Sequence, residues 1–235
     1  MNQSKVLSVQ LTRGEKIAGW IYLPFFLLLL ANISAVGALL LGFDLESINV
    51  LAQINLVYGL INFIAVAIIF HKFLIGNLDN AIRRLRRSVS AVILGLLLCY
   101  ACTVAVNVLI SWVAPELNNY NEESINLMAI INYRSMFLYT VLLAPIAEET
   151  LFRGLIFSSI QKHRRVLAYI VCMLAFASIH MGSAIGQQSL PFLLLNLIQY
   201  FPAGFALCWT YERADSIWAP IIVHFVNNAI AMLAG

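Results

Sequence analysis

The sequence predicts an all-α, polytopic membrane protein built as a bundle of about seven spanning helices. Three observations lead to this fold class. Of the 235 residues, 62% are hydrophobic and only 11% are charged, whereas soluble domains carry about 25% charged residues. The mean hydropathy is +0.88, and the charged residues leave long uncharged gaps. A soluble globule of this size would lack the charge to cover its surface, so the bilayer is the expected solvent.

Seven apolar segments lie between the charged residues. A helix needs about 20 mainly apolar residues to cross the hydrocarbon layer, because its backbone polar groups must be satisfied within the segment. The fourth segment contains three charged residues, and the fifth and sixth form one uncharged stretch that is broken near 182–189. The first three predicted spans lie within the uncharged gaps 17–43, 47–71 and 88–115, and the other four are 135–160, 166–181, 190–211 and 216–235.

The basic residues predict the orientation. With the N-terminus in the cytoplasm, 12 of the 14 Lys and Arg residues fall on inner segments, as the positive-inside rule requires. The basic run Arg83–Arg87 then lies at the inner end of a helix, where it is interpreted as a topology anchor with lipid headgroup contact and not as a nucleic-acid site. No nucleic-acid partner is expected, and the first helix is expected to remain as an anchor because residues 1–16 show no cleavable signal pattern.

The chain is predicted to form one integral membrane domain, residues 1–235. Within it, residues 1–134 form a three-helix N-terminal part and residues 135–235 form the catalytic core. The division follows the ionisable residues inside the spans, which are costly in a membrane and are candidates for function. All of them lie in the C-terminal half: Glu148, Glu149, Arg153, His180 and His224.

The spacing within the fourth span assigns different roles to its two glutamates. Glu149 and Arg153 are four residues apart, in the order that favours a helical ion pair, so Arg153 can hold Glu149 in place. Glu148 is rotated by about 100° from Glu149 around the helix. Glu148 is therefore free to act on another group.

Two further pairs share a helical face in the same way, Phe176 with His180 and His224 with Asn228. At about 1.5 Å per residue, the polar groups of the three helices lie roughly 14–22 Å from the predicted inner surface. A Glu and a His at one depth can bind and deprotonate a water molecule. A second His with an Asn can stabilise the oxyanion of a tetrahedral intermediate. Together these groups predict a peptide or ester hydrolase that uses water directly.

Two other interpretations of the cluster stay open. A buried salt-bridge network could serve only to fix the helix packing. Two His and two Glu could also bind zinc, although Glu149 is expected to be occupied by Arg153 and no zinc-protease helix motif is present.

Three motifs in this region resemble those of the CPBP family, the CaaX-protease and bacteriocin-processing intramembrane proteases that include the Rce-type CaaX endopeptidases. Two glutamates followed by an arginine occur in Glu148–Arg153, Phe-x-x-x-His in Phe176–His180, and His-x-x-x-Asn in His224–Asn228. The motifs occur in the family's order, each in a hydrophobic helix. The resemblance covers roughly 135–235, and no catalytic position departs from the pattern.

The resemblance implies a role for each matching residue. Glu148 would activate water together with His180. Glu149 would form a structural pair with Arg153. His224 and Asn228 would stabilise the oxyanion. Phe176 would support the site. No cofactor is required by this mechanism, and zinc held by Glu148, His180 and His224 stays an alternative.

The resemblance also implies a substrate class and a location. The substrate would be a membrane-anchored or membrane-inserted protein or peptide, either a CaaX-type tail or a leader peptide or bacteriocin. The compact chain favours a multi-pass protein of a bacterial cell membrane. The alternatives are a non-catalytic scaffold or bacteriocin-immunity protein that binds another membrane protein in the same cavity, and an ion-coupled transporter.

Overall fold

The computed structural model describes residues 7–234, which form helices joined by short turns and contain no strand. The predicted all-α class is therefore confirmed for this part of the chain. The helices are α1 (Arg13–Pro24), α2 (Leu30–Leu40), α3 (Ile48–Ile69), α4 (His71–Arg83), α5 (Leu85–Val113), α6 (Tyr120–Ile131), α7 (Tyr133–Gln161), α8 (Arg165–Ile179), α9 (Leu190–Gln199), α10 (Phe201–Ala214) and α11 (Trp218–Ala234).

The predicted count of seven spans is not confirmed. By length and composition, α3, α5, α7 and the continuous pair α9–α10 are able to cross a membrane, and the bent pair α1–α2 gives a fifth candidate. The remaining two segments are helical but short, with 15 residues in α8 and 17 in α11. At 1.5 Å per residue they measure about 22 and 26 Å, less than the roughly 30 Å of hydrocarbon. The N-terminus-inside orientation stays a prediction.

Two stretches predicted to lie outside the spans are also helical. They contain α4 and α6, which have 13 and 12 residues. The basic run begins at Arg83, the last residue of α4. Both helices are too short to cross a membrane.

Helix α7 lies in the interior of the bundle. In an apolar 18-residue window of α7, 56% of the residues are buried. The corresponding share is 22% in α3 and 17% in α5. Every residue of the stretch Thr150–Phe157 is buried. Gly154 allows α4 to approach, because a Cβ atom at this position would lie 2.9 Å from Cε1 of Phe73. Among the candidate spans, the helix that carries the two glutamates is thus the one most enclosed by protein.

Helices α5 and α10 form the most extensive helix pair among the described residues. They approach closely at Gly95, where a Cβ atom would clash with Oγ1 of Thr210. The Thr210 hydroxyl donates a hydrogen bond of 2.7 Å to the Ala206 carbonyl, so it has little freedom to move away. This contact joins the N-terminal part of the chain to the C-terminal part.

We expect Gly95→Ala to destabilise the protein by about 1–3 kcal/mol, the usual cost of overpacking a close contact. The measurement is the free energy of unfolding in detergent. Gly37→Ala is the matched control, because nothing lies within 4 Å of a Cβ atom there and a helical alanine is favoured over glycine by about 0.5–1 kcal/mol. Equal effects of the two substitutions would contradict the close packing of α5 and α10.

Residues 7–12, the N-terminal segment, attach to a turn near the other end of the chain. Asp215, in the turn between α10 and α11, is buried and has a left-handed φ of 62°. Its carboxylate accepts hydrogen bonds from the Ser8 backbone N–H at 2.8 Å and from Arg84 at 2.9 Å. The Asn80 side chain donates to the Asp215 carbonyl. The N-terminal segment and the end of α4 are therefore fixed to the same turn.

Candidate active site

The two glutamates of α7 lie between two stretches of π-helical geometry, Leu138–Leu143 and Thr150–Phe157. Such wide turns inside α-helices are frequently found at functional sites. Pro145 lies next to the first stretch, and a proline lacks the N–H needed for a regular helical hydrogen bond. The irregular backbone leaves carbonyl groups available to side chains of other helices.

Glu149 is fully buried and is bonded to two other motif residues. Its Oε1 atom accepts a hydrogen bond from Arg153 Nη1 at 3.0 Å and lies 2.9 Å from His224 Nδ1. Arg153 also donates to the Gly204 carbonyl at 3.2 Å. The predicted pair of Glu149 and Arg153 is present, and its carboxylate also binds a histidine of α11.

Glu148 faces a different environment. Its side chain is 12% exposed, and its Oε2 atom lies 4.0 Å from Nε2 of His224. This separation is too long for a hydrogen bond, but a single water molecule can bridge two polar atoms at this distance. His224 thus lies between the two glutamates, bonded to Glu149 through Nδ1 and facing Glu148 through Nε2.

Phe176 packs at the centre of the cluster. The Arg153 guanidinium carbon lies 4.5 Å from the centroid of its ring, a cation–π distance. The ring centroids of His180 and His224 lie 4.7 and 5.7 Å away. The aromatic residue of the Phe-x-x-x-His motif therefore contacts both histidines and the buried arginine.

His180 caps the C-terminal end of α8, and its imidazole is fixed at Nδ1. That atom lies 2.8 Å from the Phe176 carbonyl oxygen. A carbonyl oxygen only accepts hydrogen bonds, so Nδ1 carries the proton and Nε2 has the lone pair in the neutral ring. The ring also stacks on Tyr200, with centroids 4.4 Å apart and planes inclined by 24°.

Asn228 is oriented by the first π-helical stretch of α7. Its Nδ2 atom donates a hydrogen bond of 2.9 Å to the Thr140 carbonyl, and its Oδ1 atom accepts one of 3.3 Å from Asn227. An amide nitrogen has two hydrogens, so one remains to donate to another group. Asn228 is held next to the helix that carries the glutamates.

The structure brings the predicted residues together, but some of them contact other residues than the predicted ones. Glu148 approaches His224 rather than His180. The bond between Glu149 and His224 and the partners Thr140, Tyr200 and Gly204 were not predicted. Spacing within one helix cannot reveal these contacts, because the two residues of each contact lie on different helices.

The residues do not fit the alternative of a zinc site. Within residues 7–234, no three His, Cys, Asp or Glu side chains are placed to hold one metal ion. In the set Glu148, His180 and His224, Nδ1 of each histidine is already bonded elsewhere, and only Glu148 and His224 come close to one another. A metalloprotease description is not supported, and no chemical step is assigned to a metal.

Comparison with known proteins agrees with the motifs. Residues 130–230 match the family model described as type II CAAX prenyl endopeptidase Rce1-like. The chain is 27% identical over 116 residues to the "putative membrane peptidase YdiL" of Bacillus subtilis, a match covering 47% of this chain and 43% of that protein. It is 30% identical over 97 residues to the "UPF0177 protein YxdF" of Lactococcus lactis, covering 39% of this chain and 48% of that protein.

The chain thus spans less than half the length of these two curated relatives. No solved structure matches it at a comparable level of significance. The described residues contain four to five helices able to cross a membrane, and the chain is similar to a putative membrane peptidase. Both observations indicate an integral membrane protein. The resemblance inferred from the three motifs is confirmed: residues 130–230 of this chain match the family model of the type II CAAX prenyl endopeptidase Rce1-like proteins.

Proposed function

We propose that this chain is an intramembrane endopeptidase that hydrolyses a peptide bond of a membrane-delivered protein or peptide with an activated water molecule. The observation that carries the proposal is the continuous contact from Arg153 through Glu149 to His224, which ends 4.0 Å from Glu148. A network with a purely structural role would not need its last carboxylate to be unpaired. Oε2 of Glu148 is buried and has no hydrogen-bond partner among the described residues.

Glu148 is the general base in this mechanism. Its carboxylate takes a proton from the water molecule while the water oxygen bonds to the substrate carbonyl carbon. The C–N bond then breaks, and the same proton passes from Glu148 to the departing amine nitrogen. His180 contributes Nε2, whose lone pair accepts the second hydrogen bond of the water. The carboxylate therefore returns to its starting state in each cycle.

His224 and Asn228 stabilise the oxyanion that forms during this attack. An imidazolium at His224 donates through Nδ1 to Glu149 and through Nε2 to the substrate oxygen. Asn228 donates its second amide hydrogen. Donors fixed in place before the reaction stabilise developing charge without reorganisation. Glu149 orients His224, and Arg153 holds Glu149, so these two residues act through His224.

The substrate is of the CaaX type, or it is a leader peptide, bacteriocin or other membrane-inserted segment. The relatives from Bacillus and Lactococcus favour a bacterial cell membrane. The family description points to a peptide bond near a membrane anchor. In both cases the substrate reaches Glu148, whose side chain is 12% exposed, from the bilayer.

The test compares the membrane peptides of three cell populations. One carries the native protein, one the variant Glu148→Gln, and one the variant His180→Ala. We expect specific cleavage products to disappear in both variants, because each loses a group that activates water. Glu116→Gln is the matched control, since Glu116 is exposed and distant in sequence from the motifs. Products that persist unchanged in Glu148→Gln would overturn the enzyme and favour a scaffold or immunity protein.

A further inference from the structure

Tyr200 contacts His180 but belongs to none of the three motifs. Its ring lies nearly parallel to the imidazole, with centroids 4.4 Å apart. The opposite end of the side chain is also held, because its hydroxyl donates to Asn119 at 3.0 Å and accepts from Asn121 at 3.2 Å. Both asparagines lie at the start of α6. Tyr200 therefore connects His180 to a different part of the bundle.

The backbone keeps Tyr200 at a defined position. It lies at the junction of α9 and α10, where Pro202 is in the first turn of α10. Proline lacks an N–H group and disfavours a helical conformation at the residue before it, so the sequence 200–202 interrupts the helix. The Tyr200 N–H bonds to the end of α9, and Gly204 N–H bonds to the Tyr200 carbonyl at 3.0 Å.

His180 needs such support because its own helix ends there. The residues that follow, 181–187, form turns. Among residues 7–234, its imidazole has one hydrogen bond, to the Phe176 carbonyl four residues earlier. Such a local bond leaves the ring able to rotate unless its faces are packed. Phe176 is inclined by 53° to the imidazole, so Tyr200 supplies the nearly parallel contact.

We propose that Tyr200 is a positioning residue for His180. Its stacked ring keeps the imidazole in the plane that leaves Nδ1 on the Phe176 carbonyl and Nε2 directed to the reacting water. Asn119 and Asn121 hold the hydroxyl end of Tyr200, and the ring supplies the contact that positions His180. The proposal rests on the proposed function, because it assigns His180 to the water.

The first test does not require a substrate. The chain has four histidines, two of which, His71 and His163, are exposed and serve as internal references. In nitrogen-15 histidine spectra of the protein in nanodiscs, His180 is assigned by its absence in His180→Gln. We expect one Nδ1–H tautomer in the native protein and in Tyr200→Phe, and a mixture of tautomers in Tyr200→Leu. Tyr200→Met, which fills the volume without a ring, replaces Tyr200→Leu if that variant does not fold.

The second test is kinetic, on a quenched-fluorescent peptide that spans the cleavage site found in the membrane-peptide comparison. Misplacing a reacting group by about 1 Å can reduce a rate by 10²-fold. We expect Tyr200→Leu to lower kcat by roughly 10–100-fold with KM nearly unchanged, and Tyr200→Phe to recover most of the rate. Tyr133→Leu, at an exposed tyrosine of α7, is the control and keeps the native rate.

Two results would overturn the proposal. One is a native His180 tautomer in Tyr200→Leu, and the other is a shifted tautomer with an unchanged kcat. The proposed function fails by a different result, the persistence of cleavage products in Glu148→Gln. The spectra still decide in that case whether Tyr200 fixes His180.

Discussion

Replacing Arg153 with methionine should destabilise the protein by about 3–5 kcal/mol. Removing one member of a buried ion pair leaves the other charge buried and uncompensated, and this is the usual size of the effect. Both side chains of the pair are 0% exposed, so water does not reach Glu149 in place of the guanidinium. The measurement is the free energy of unfolding in detergent, or the fraction of folded protein recovered where the variant does not refold.

Arg86→Met is the control for the loss of a positive charge, because Arg86 is exposed and surface ion pairs contribute little. The double variant Glu149→Gln with Arg153→Met should recover a large part of the lost stability, since it removes both buried charges. A double variant as unstable as Arg153→Met alone would show that the arginine acts by packing against Phe176 and not by charge.

Glu149→Gln should lower the cleavage rate by about 10²–10⁴-fold per folded molecule. In a serine-protease triad, replacing the carboxylate that orients the histidine costs about 10⁴-fold because the histidine adopts the wrong tautomer. Glu149 has the corresponding position here, with Oε1 2.9 Å from His224 Nδ1. In the proposed mechanism His224 donates through Nδ1 to Glu149 and through Nε2 to the oxyanion. A neutral glutamine removes the negative charge that stabilises the imidazolium, so Nε2 becomes a weaker donor to the oxyanion.

The initial rate on the cleavage-site peptide checks this prediction, and the nitrogen-15 spectrum of His224 checks its cause. Glu116→Gln again serves as the isosteric control. A native His224 tautomer together with a native rate in Glu149→Gln would mean that Glu149 serves only to neutralise Arg153.

The fold was predictable to the level of helical segments. Gaps between charged residues locate apolar helices, because charge is excluded from hydrocarbon, and each predicted span corresponds to helix in the structure. The gaps do not show where a helix ends inside an apolar stretch. Helix α8 ends at His180 within such a stretch, and α4 follows α3 after a single residue. The predicted count of seven full spans is therefore not confirmed.

The site was predictable within each helix and not between helices. Spacing of four residues identified Glu149 with Arg153, because the geometry of a single helix determines that contact. The contact between Glu149 and His224 depends on how α7 and α11 rotate against each other. That rotation follows from packing of the whole bundle, and the same holds for Tyr200 on His180. Sequence patterns therefore predict contacts within one helix, and they do not predict which residues of two different helices come into contact.

The bond between Ser8 and Asp215 also limits when the protein can complete its fold. The two residues are 207 positions apart, so Asp215 does not exist while most of the chain is being translated. At about 5–20 residues per second, the ribosome needs on the order of 10–40 s to cover that distance. Throughout this interval the N-terminal segment lacks its final partner. It is joined to Asp215 only after the helices that carry Glu148 and His180 have been made.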